Sequence, residues 1–326
     1  MMNQNPDPEF DEIRKSAYRP GPHRFALLAT IFTWPLLFVG GLVTTYRVGM
    51  AVPDWPTTFG INMFLYDMTR ASWAVFGEHT HRLYGAAVGV FVILLMIDLL
   101  AFDRRRWMKA LGVIALIAVI GQGLLGGYRV RLNSTMLAAV HGTTAQVFFG
   151  LMVGLCVMTG RGWFGPARTV PIAGKLRRQS AAFVVLILGQ VAIGAWLRHY
   201  PGLNPLSLHS IVAFLVLGHG ASMVARILRR PADWPEIVPA ARAIGGLLVL
   251  QIALGIGAWW LLRPYDGIAR VVTLPAALIR TGHQANAGLL LASAVVLALR
   301  VFGQLAGEPG SRDPADSSVR DLEAVA

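Results

Sequence analysis

Eight long apolar runs divide this chain, and they restrict its fold more than any other feature of the sequence. Each has about the 20 residues that a helix needs to cross the hydrocarbon core of a bilayer. We therefore predict eight transmembrane helices, at residues 25–45, 79–102, 108–128, 137–159, 180–197, 206–225, 243–262 and 281–302.

The proportion of charged residues supports this interpretation. Only 14% of the 326 residues are charged and 55% are hydrophobic, whereas soluble proteins have roughly 25% charged residues. A soluble protein of this size could not cover its surface with so few charges. We therefore exclude the soluble class and expect membrane lipid to surround the helices.

The distribution of basic residues predicts the orientation. The net charge is +12, and all the lysines and most of the arginines fall in the N-terminal segment, the C-terminal region and alternate loops, at 104–109, 161–178 and 226–242. Cytoplasmic loops of membrane proteins carry such an excess. Both termini are therefore predicted to be cytoplasmic, and the charge does not indicate a nucleic-acid partner.

The N-terminal segment has neither a cleavable signal pattern nor the composition of a mitochondrial transit peptide, which is poor in acidic residues. It is acidic as well as basic, with Asp7, Glu9, Asp11 and Glu12. The bacterial inner membrane is the expected location.

A glutamine, a glycine and a histidine recur with the same spacing. The two copies are Gln122, Gly126 and His141, and then Gln190, Gly194 and His209; a partial third copy has Gln251 and Gly255 before His283. A repeat of this kind predicts repeated architecture. The expected fold class is an all-α integral membrane protein of two tandem four-helix bundles, at 25–159 and 180–302, related by a pseudo-twofold axis.

Three further segments complete this domain organisation. Residues 1–24 form a cytoplasmic N-terminal segment, residues 160–179 a cytoplasmic linker, and residues 303–326 a tail rich in Gly, Pro, Ser and acidic residues. Such a tail cannot bury enough apolar surface to fold and is expected to be disordered.

Four histidines open the even-numbered predicted helices at nearly the same depth, near the outer face: His81, His141, His209 and His283. The residue four positions later, on the same helix face, is small in each case, being Gly85, Ala145, Ala213 and Ala287. Two histidines on facing helices are typical of bis-imidazole haem ligation in a bundle core. The natural pairs are His81 with His141, and His209 with His283.

Each histidine alone could instead hydrogen-bond to loops and lipid headgroups at the membrane interface. Their occurrence at four equivalent places favours the interpretation that they are ligands of haem iron. A zinc site is disfavoured, because zinc ligands usually mix His with Cys or carboxylate in short motifs. The one cysteine, Cys156, lies in an apolar run and is interpreted as a buried apolar residue.

Several polar residues could complete the haem sites. Four arginines on the outer side could pair with haem propionates or could be solvated loop charges: Arg82, Arg129, Arg131 and Arg198. Glu78 lies three residues before His81, and the second half has no acid at the matching place. It could handle protons at a reacting group or simply stabilise a helix N-terminus. His219 could be a core residue or mark a second haem depth.

These residues resemble the haem A synthase family of cytochrome oxidase assembly proteins, over residues 25–302. The resemblance rests on the Glu-x-x-His-Arg motif at Glu78, His81 and Arg82, on the three later histidines, and on the first outer loop, whose residues 47–56 end in Pro-Asp-Trp-Pro. Many bacterial members carry cysteine pairs in outer loops, and this chain has none. Thiol-linked steps are therefore excluded.

The resemblance implies oxidation of the C8 methyl of haem O to the formyl group of haem A, with O2 and an unidentified electron donor. It implies haem b on His209 and His283 as the cofactor. The substrate haem O would bind His81 and His141, with Glu78 as the catalytic acid. Haem O synthase and other cytochrome oxidase assembly factors are the implied protein partners.

Two other functions fit parts of the sequence. A bis-histidine membrane cytochrome b that carries electrons would hold two permanent haems, and His219 would suit it. A solute transporter with repeat symmetry would explain the repeat but not the four aligned histidines.

Overall fold

The computed structural model describes residues 18–165, 168–170, 172–263, 266–268 and 270–306, and these contain eight long helices. In chain order they are α1 (Pro20–Thr45), α2 (Trp73–Phe102), α3 (Arg106–Arg131), α4 (Thr135–Thr159), α5 (Ala173–His199), α6 (Leu203–Leu228), α7 (Val238–Leu262) and α8 (Leu274–Gln304). All eight are long enough and apolar enough to cross a membrane. The prediction of an all-helical, multi-pass membrane protein is confirmed.

The described residues outside these helices include four two-residue strands. In the connection between α1 and α2, β1 (Thr57–Thr58) and β2 (Ile61–Asn62) pair antiparallel. After α4, β3 (Arg168–Thr169) pairs in parallel with β4 (Leu305–Ala306), which follows α8. Two short 3₁₀ helices span Arg161–Phe164 and Pro231–Asp233.

Every helix begins before its predicted first residue. Ser72, Ser134 and Thr273 cap α2, α4 and α8 by accepting hydrogen bonds from backbone N–H groups of the first turn. Prolines occupy the first turn of α1, α7 and α8, where they lack only a hydrogen bond that would be unmade anyway. The apolar runs do not reveal these helix N-termini, because capping residues and prolines determine them.

The longer helices correct two of the expectations. The four histidines do not open their helices but lie six to nine residues after the first helical residue. Part of the expected linker 160–179 has regular secondary structure, since it contains a 3₁₀ helix, β3 and the start of α5. Helix α8 continues to Gln304, whereas residues 1–17 and 307–326 of the two predicted terminal segments lie outside the described residues.

The helices form two sets, α1–α4 and α5–α8, with the same pattern of helix–helix contacts. Helix α1 packs against α2 and α4, and α3 packs against the same two helices. Among the last four helices, α5 and α7 both pack against α6 and α8 in the same way. The two sets meet where α8 packs against α1 and α4, and where α5 packs against α4.

Large buried side chains occupy only one end of each set. The largest fully buried side chains in the described residues include Leu95, Met152, Phe183 and Met223. All lie at the end away from the level of the histidines, which we call the packed end. The other end, the histidine end, contains the four histidines, the connections 46–72, 132–134 and 200–202, and the described residues of the connection between α7 and α8.

Candidate functional site

The structure brings the four histidines together in the two predicted pairs. The ring centroids of His81 in α2 and His141 in α4 are 6.5 Å apart, with the rings nearly perpendicular. Those of His209 in α6 and His283 in α8 are 6.1 Å apart. A metal–imidazole nitrogen bond is about 2.0 Å, so two rings that bind one ion from opposite sides have centroids roughly 6 Å apart. Both pairs have this separation.

A glycine from the preceding helix lies against each histidine ring. A Cβ atom placed on these glycines would lie 2.8 to 3.3 Å from the Cε1 atom of the facing ring. The four contacts are Gly40 with His81, Gly126 with His141, Gly194 with His209, and Gly255 with His283. Real Cβ atoms rarely approach this closely, so larger residues here would push the rings toward the centre of each helix set. We call these four residues the cradle glycines.

Glu78 is held by the first outer loop. Its side chain is 3% exposed, and its carboxylate accepts hydrogen bonds from the Val52 backbone N–H at 3.0 Å and from Arg82 at 2.9 Å. Within the described part of the chain it makes no hydrogen bond to His81 or His141. The helix therefore presents a buried carboxylate one turn before His81, under a loop that closes over it.

Arg82 holds this loop in place. Its guanidinium donates to the backbone carbonyl oxygens of Val52, Asp54 and Thr57 at 2.8 to 3.1 Å, in addition to Glu78. Every described partner is a loop carbonyl or that one carboxylate. Its donors therefore serve the loop, and pairing of Arg82 with a haem propionate stays a prediction.

Asp54 organises the tip of the same loop. Its carboxylate accepts from the backbone N–H groups of Phe59 and Gly60, both at 2.8 Å, and from the Thr57 hydroxyl at 2.5 Å. Partial burial raises the pKa of Asp54, but these hydrogen bonds outweigh it, and the pKa lies below the ordinary value for aspartate. The carboxylate is thus ionised and able to hold the hairpin at neutral pH.

Two further contacts press the loop onto the helices. The Trp55 ring lies directly against Gly127 of α3, where a Cβ would overlap it. His79, buried in α2, exchanges a hydrogen bond with the Thr58 hydroxyl at 3.0 Å and packs against Tyr66. The Pro-Asp-Trp-Pro segment therefore closes the histidine end above α2 and α3.

Replacing Arg82 with alanine should release this loop. The change removes the Arg82 donor from buried Glu78 and from three carbonyl groups, and removing one partner of a buried pair costs about 3–5 kcal/mol. Hydrogen–deuterium exchange of peptides from residues 46–72 should become much faster in R82A. The matched control is Arg70→Ala, since Arg70 is exposed on the same loop. Equal exchange in R82A and R70A would contradict the role assigned to Arg82.

The other three predicted arginines have different surroundings. Arg129 donates to the Gly49 carbonyl at 3.1 Å, and Arg131 is exposed at the end of α3. Arg198 donates to the Gly41 carbonyl at 2.6 Å, and also contacts Thr45 and Gln284. Arg198 thus joins α5 to α1 and α8. Propionate pairing of these arginines stays a prediction.

A cavity of about 330 Å³ opens at the histidine end among α1, α4 and the end of α5. Its lining includes Arg47, Arg129 and His199 together with polar groups around Ser134. The lining is therefore rich in hydrogen-bond donors and close to the first histidine pair.

Two other histidines of the described chain, His219 and His23, have partners of their own. His219 is bonded through Nε2 to the Gln179 carbonyl at 2.9 Å and stacks on Phe183, as a satisfied core histidine does. His23 contacts the Cys156 carbonyl at 3.1 Å. No group of three or more His, Cys, Asp or Glu side chains in the described residues could hold a metal ion, so each histidine pair offers two protein ligands only.

Sequence reasoning missed two parts of this site. Gly40, which faces His81, belongs to a helix without the glutamine–glycine–histidine pattern, and only its position near the end of α1 could have suggested it. The Val52 N–H that holds Glu78 is 26 residues away in sequence, and no local signal predicts such a contact.

More than half of the chain matches a known protein family. A family model described as cytochrome oxidase assembly protein, COX15-CtaA, matches residues 23–203. That segment includes α1 to α4 with the first histidine pair, Glu78 and Arg82, and ends at the start of α6. No curated protein matches the chain.

Proposed function

Because the chain belongs to the COX15-CtaA family of cytochrome oxidase assembly proteins, we propose that it is a haem A synthase that oxidises the C8 methyl of haem O to a formyl group. The observation that carries the proposal is the pair of facing imidazoles in each half of the chain. The role in cytochrome oxidase assembly follows from the family, and the specific reaction is our proposal.

Haem fits the two pairs better than a bare ion does. Two imidazoles leave most positions around a metal unfilled, and a macrocycle fills four of them in one plane. The cradle glycines keep the rings free of side-chain bulk, and the large buried side chains lie at the packed end. The Nδ1 atoms of His81 and His209 are shielded from solvent and have no hydrogen-bond partner among the described residues, as expected for a site built around a ligand.

The two sites are proposed to have different roles in two tandem four-helix bundles related by a pseudo-twofold axis. The repeated contacts among α1–α4 and among α5–α8 support this arrangement. His209 and His283 would hold haem b as the cofactor. His81 and His141 would hold haem O, because Glu78 lies beside this pair and is the only buried carboxylate in the described part of the chain.

The residues around the first site can orient the substrate and manage protons. Converting a methyl to a formyl group takes two oxygen insertions at one carbon, each consuming one O2, two electrons and two protons, followed by loss of water. Bound haem iron supplies the oxygen chemistry. Glu78, one turn from His81, is positioned to hold and transfer a proton, while the loop over it excludes bulk water.

We place the protein in the bacterial inner membrane with both termini cytoplasmic and the histidine end on the outer side. The basic residues of alternate loops support this orientation. The electron donor is external and of unidentified chemistry, and haem O synthase and assembly factors are proposed partners.

An electron-carrying cytochrome b is the second candidate. The two histidine pairs have nearly the same separation and the same cradle glycines, as two permanent haems would require. Such a carrier would hold haem b in both sites and would not oxidise haem O.

One expression experiment separates the two functions. Cells that make haem O but lack haem A should accumulate hydroxylated or formyl haem when they express this chain, as judged by chromatography and mass spectrometry of extracted haems. His81→Ala is the matched control and should accumulate neither product. Unmodified haem b alone, in a preparation that binds two haems per chain, would favour the carrier instead.

A further inference from the structure

The loop between α1 and α2 covers a part of α2 that would otherwise face lipid. His79 lies eleven residues before Val90 and eighteen before Ile97, so three and five helical turns bring all three residues to one face of α2. Val90 and Ile97 are 54% and 53% exposed, and in a helix that crosses the membrane such residues contact lipid. His79, on the same face, is only 1% exposed.

Two contacts show that the loop itself buries His79. The Thr58 hydroxyl and His79 Nδ1 share a hydrogen bond at 3.0 Å, and the Tyr66 ring lies against the imidazole with the centroids 5.2 Å apart. Thr58 belongs to β1, and Tyr66 follows β2. The β1–β2 hairpin is therefore folded down along the lipid-facing side of α2, between that helix and its surroundings.

The outward surface of this part of the loop is apolar. Residues 55–66 contain no charged side chain, although Asp54 and Asp67 flank them directly. Four large apolar residues of this segment are exposed, at 47% to 78%: Phe59, Ile61, Phe64 and Leu65. Contiguous apolar surface of this kind marks a site of contact with another protein or with a membrane.

Exposed aromatic side chains mark the edge of the membrane at the same height. Trp and Tyr are enriched where hydrocarbon meets the headgroups. Four helices carry such a residue at the histidine end, namely Trp73, Tyr128, Trp196 and Trp260. Counted from His81 or from the cradle glycine of the same helix, they lie about 3–12 Å beyond the level of the four histidines. His79 lies about 3 Å beyond His81, so the hairpin that covers it is level with these aromatic residues.

We propose that residues 59–66 insert into the leaflet at the histidine end, with Phe64 and Leu65 among the lipids beside α2. The apolar surface of this segment is then continuous with the exposed apolar face of α2, which includes Phe76 and Val90. This continuity favours lipid over a partner protein as the occupant. The loop that holds Glu78 is thereby anchored in the bilayer. The placement depends on the membrane-spanning helices alone, whatever the histidine pairs bind.

A fluorescent label can report what surrounds Leu65 in a bilayer. Cys156 is the only cysteine of the chain, so in a Cys156→Ser background Leu65→Cys carries one environment-sensitive fluorophore. The full-length protein is reconstituted in phosphatidylcholine nanodiscs. We expect blue-shifted emission and strong quenching by lipids with a nitroxide on the acyl chain. Quenching by iodide should be several-fold weaker than at a water-exposed position, because the ion is excluded from hydrocarbon.

Two other labelled positions provide the references. Ile97→Cys lies on the lipid-facing side of α2, and Arg70→Cys is exposed in the same loop beyond the uncharged segment. L65C should resemble I97C, with quenching by the nitroxide lipids. If L65C instead resembles R70C, with quenching by iodide, the segment lies in water and the proposal is wrong. Protection of L65C from both quenchers would show that a protein surface covers the segment, which would equally overturn it.

Discussion

Glu78→Gln is expected to lower haem A formation by about 100-fold or more, while the protein keeps its bound haem. Glutamine has nearly the shape of glutamate and an oxygen that can still accept from Val52 or Arg82, but it cannot take up and return a proton. General acid–base groups typically contribute 10²- to 10⁴-fold to rates. The measurement is the yield of oxidised haem over time, beside the absorbance of bound haem.

The loop provides the control for this experiment. If Glu78 acts only by holding residues 46–72, then E78Q should retain both loop protection in hydrogen exchange and activity. Glu78→Ala should expose the loop in either case, because Arg82 loses its carboxylate partner. Full activity of E78Q would show that Glu78 holds the outer loop but does not transfer a proton in the reaction.

Gly194→Val should remove the haem b cofactor, with at least tenfold less bound haem in purified protein from cells that lack haem O. A Cβ at this position would lie 3.0 Å from His209 Cε1, and the two methyl groups of valine add further bulk. The imidazole would have to move out of line with His283. Valine is a slightly better helix former than glycine, so loss of the helix would not explain the effect.

Gly189→Val is the matched control for that substitution. Gly189 lies in the same helix five residues earlier, and a Cβ there would meet nothing within 4 Å. This variant should retain haem and its absorbance spectrum. If G194V and G189V bind haem equally well, the close packing of Gly194 on His209 is unimportant for ligation.

Sequence periodicity predicted the helices and the grouping of the histidines, because both depend on local composition and helical spacing. The apolar runs identified eight helices, and the histidines of the even-numbered helices lie in the two expected pairs, His81 with His141 and His209 with His283. Helix starts were missed because they depend on capping residues such as Ser72 and Ser134 rather than on apolarity.

The environment of Glu78 could not be predicted in the same way. Its position three residues before His81 suggested a shared helix face, but its partners are the Val52 N–H and Arg82. The path of a long connection between two helices decides such contacts, and that path depends on long-range packing such as Trp55 on Gly127. The position of Gly40 against His81 likewise emerges only when α1 and α2 are packed together.

The separation of packed end and histidine end has a consequence for the life cycle of the protein. Since the apolar contacts that hold each helix set together lie away from the histidine end, we expect the helices to pack without a ligand at the histidine pairs. Under the proposed function, the chain would then be inserted and folded before any haem arrives.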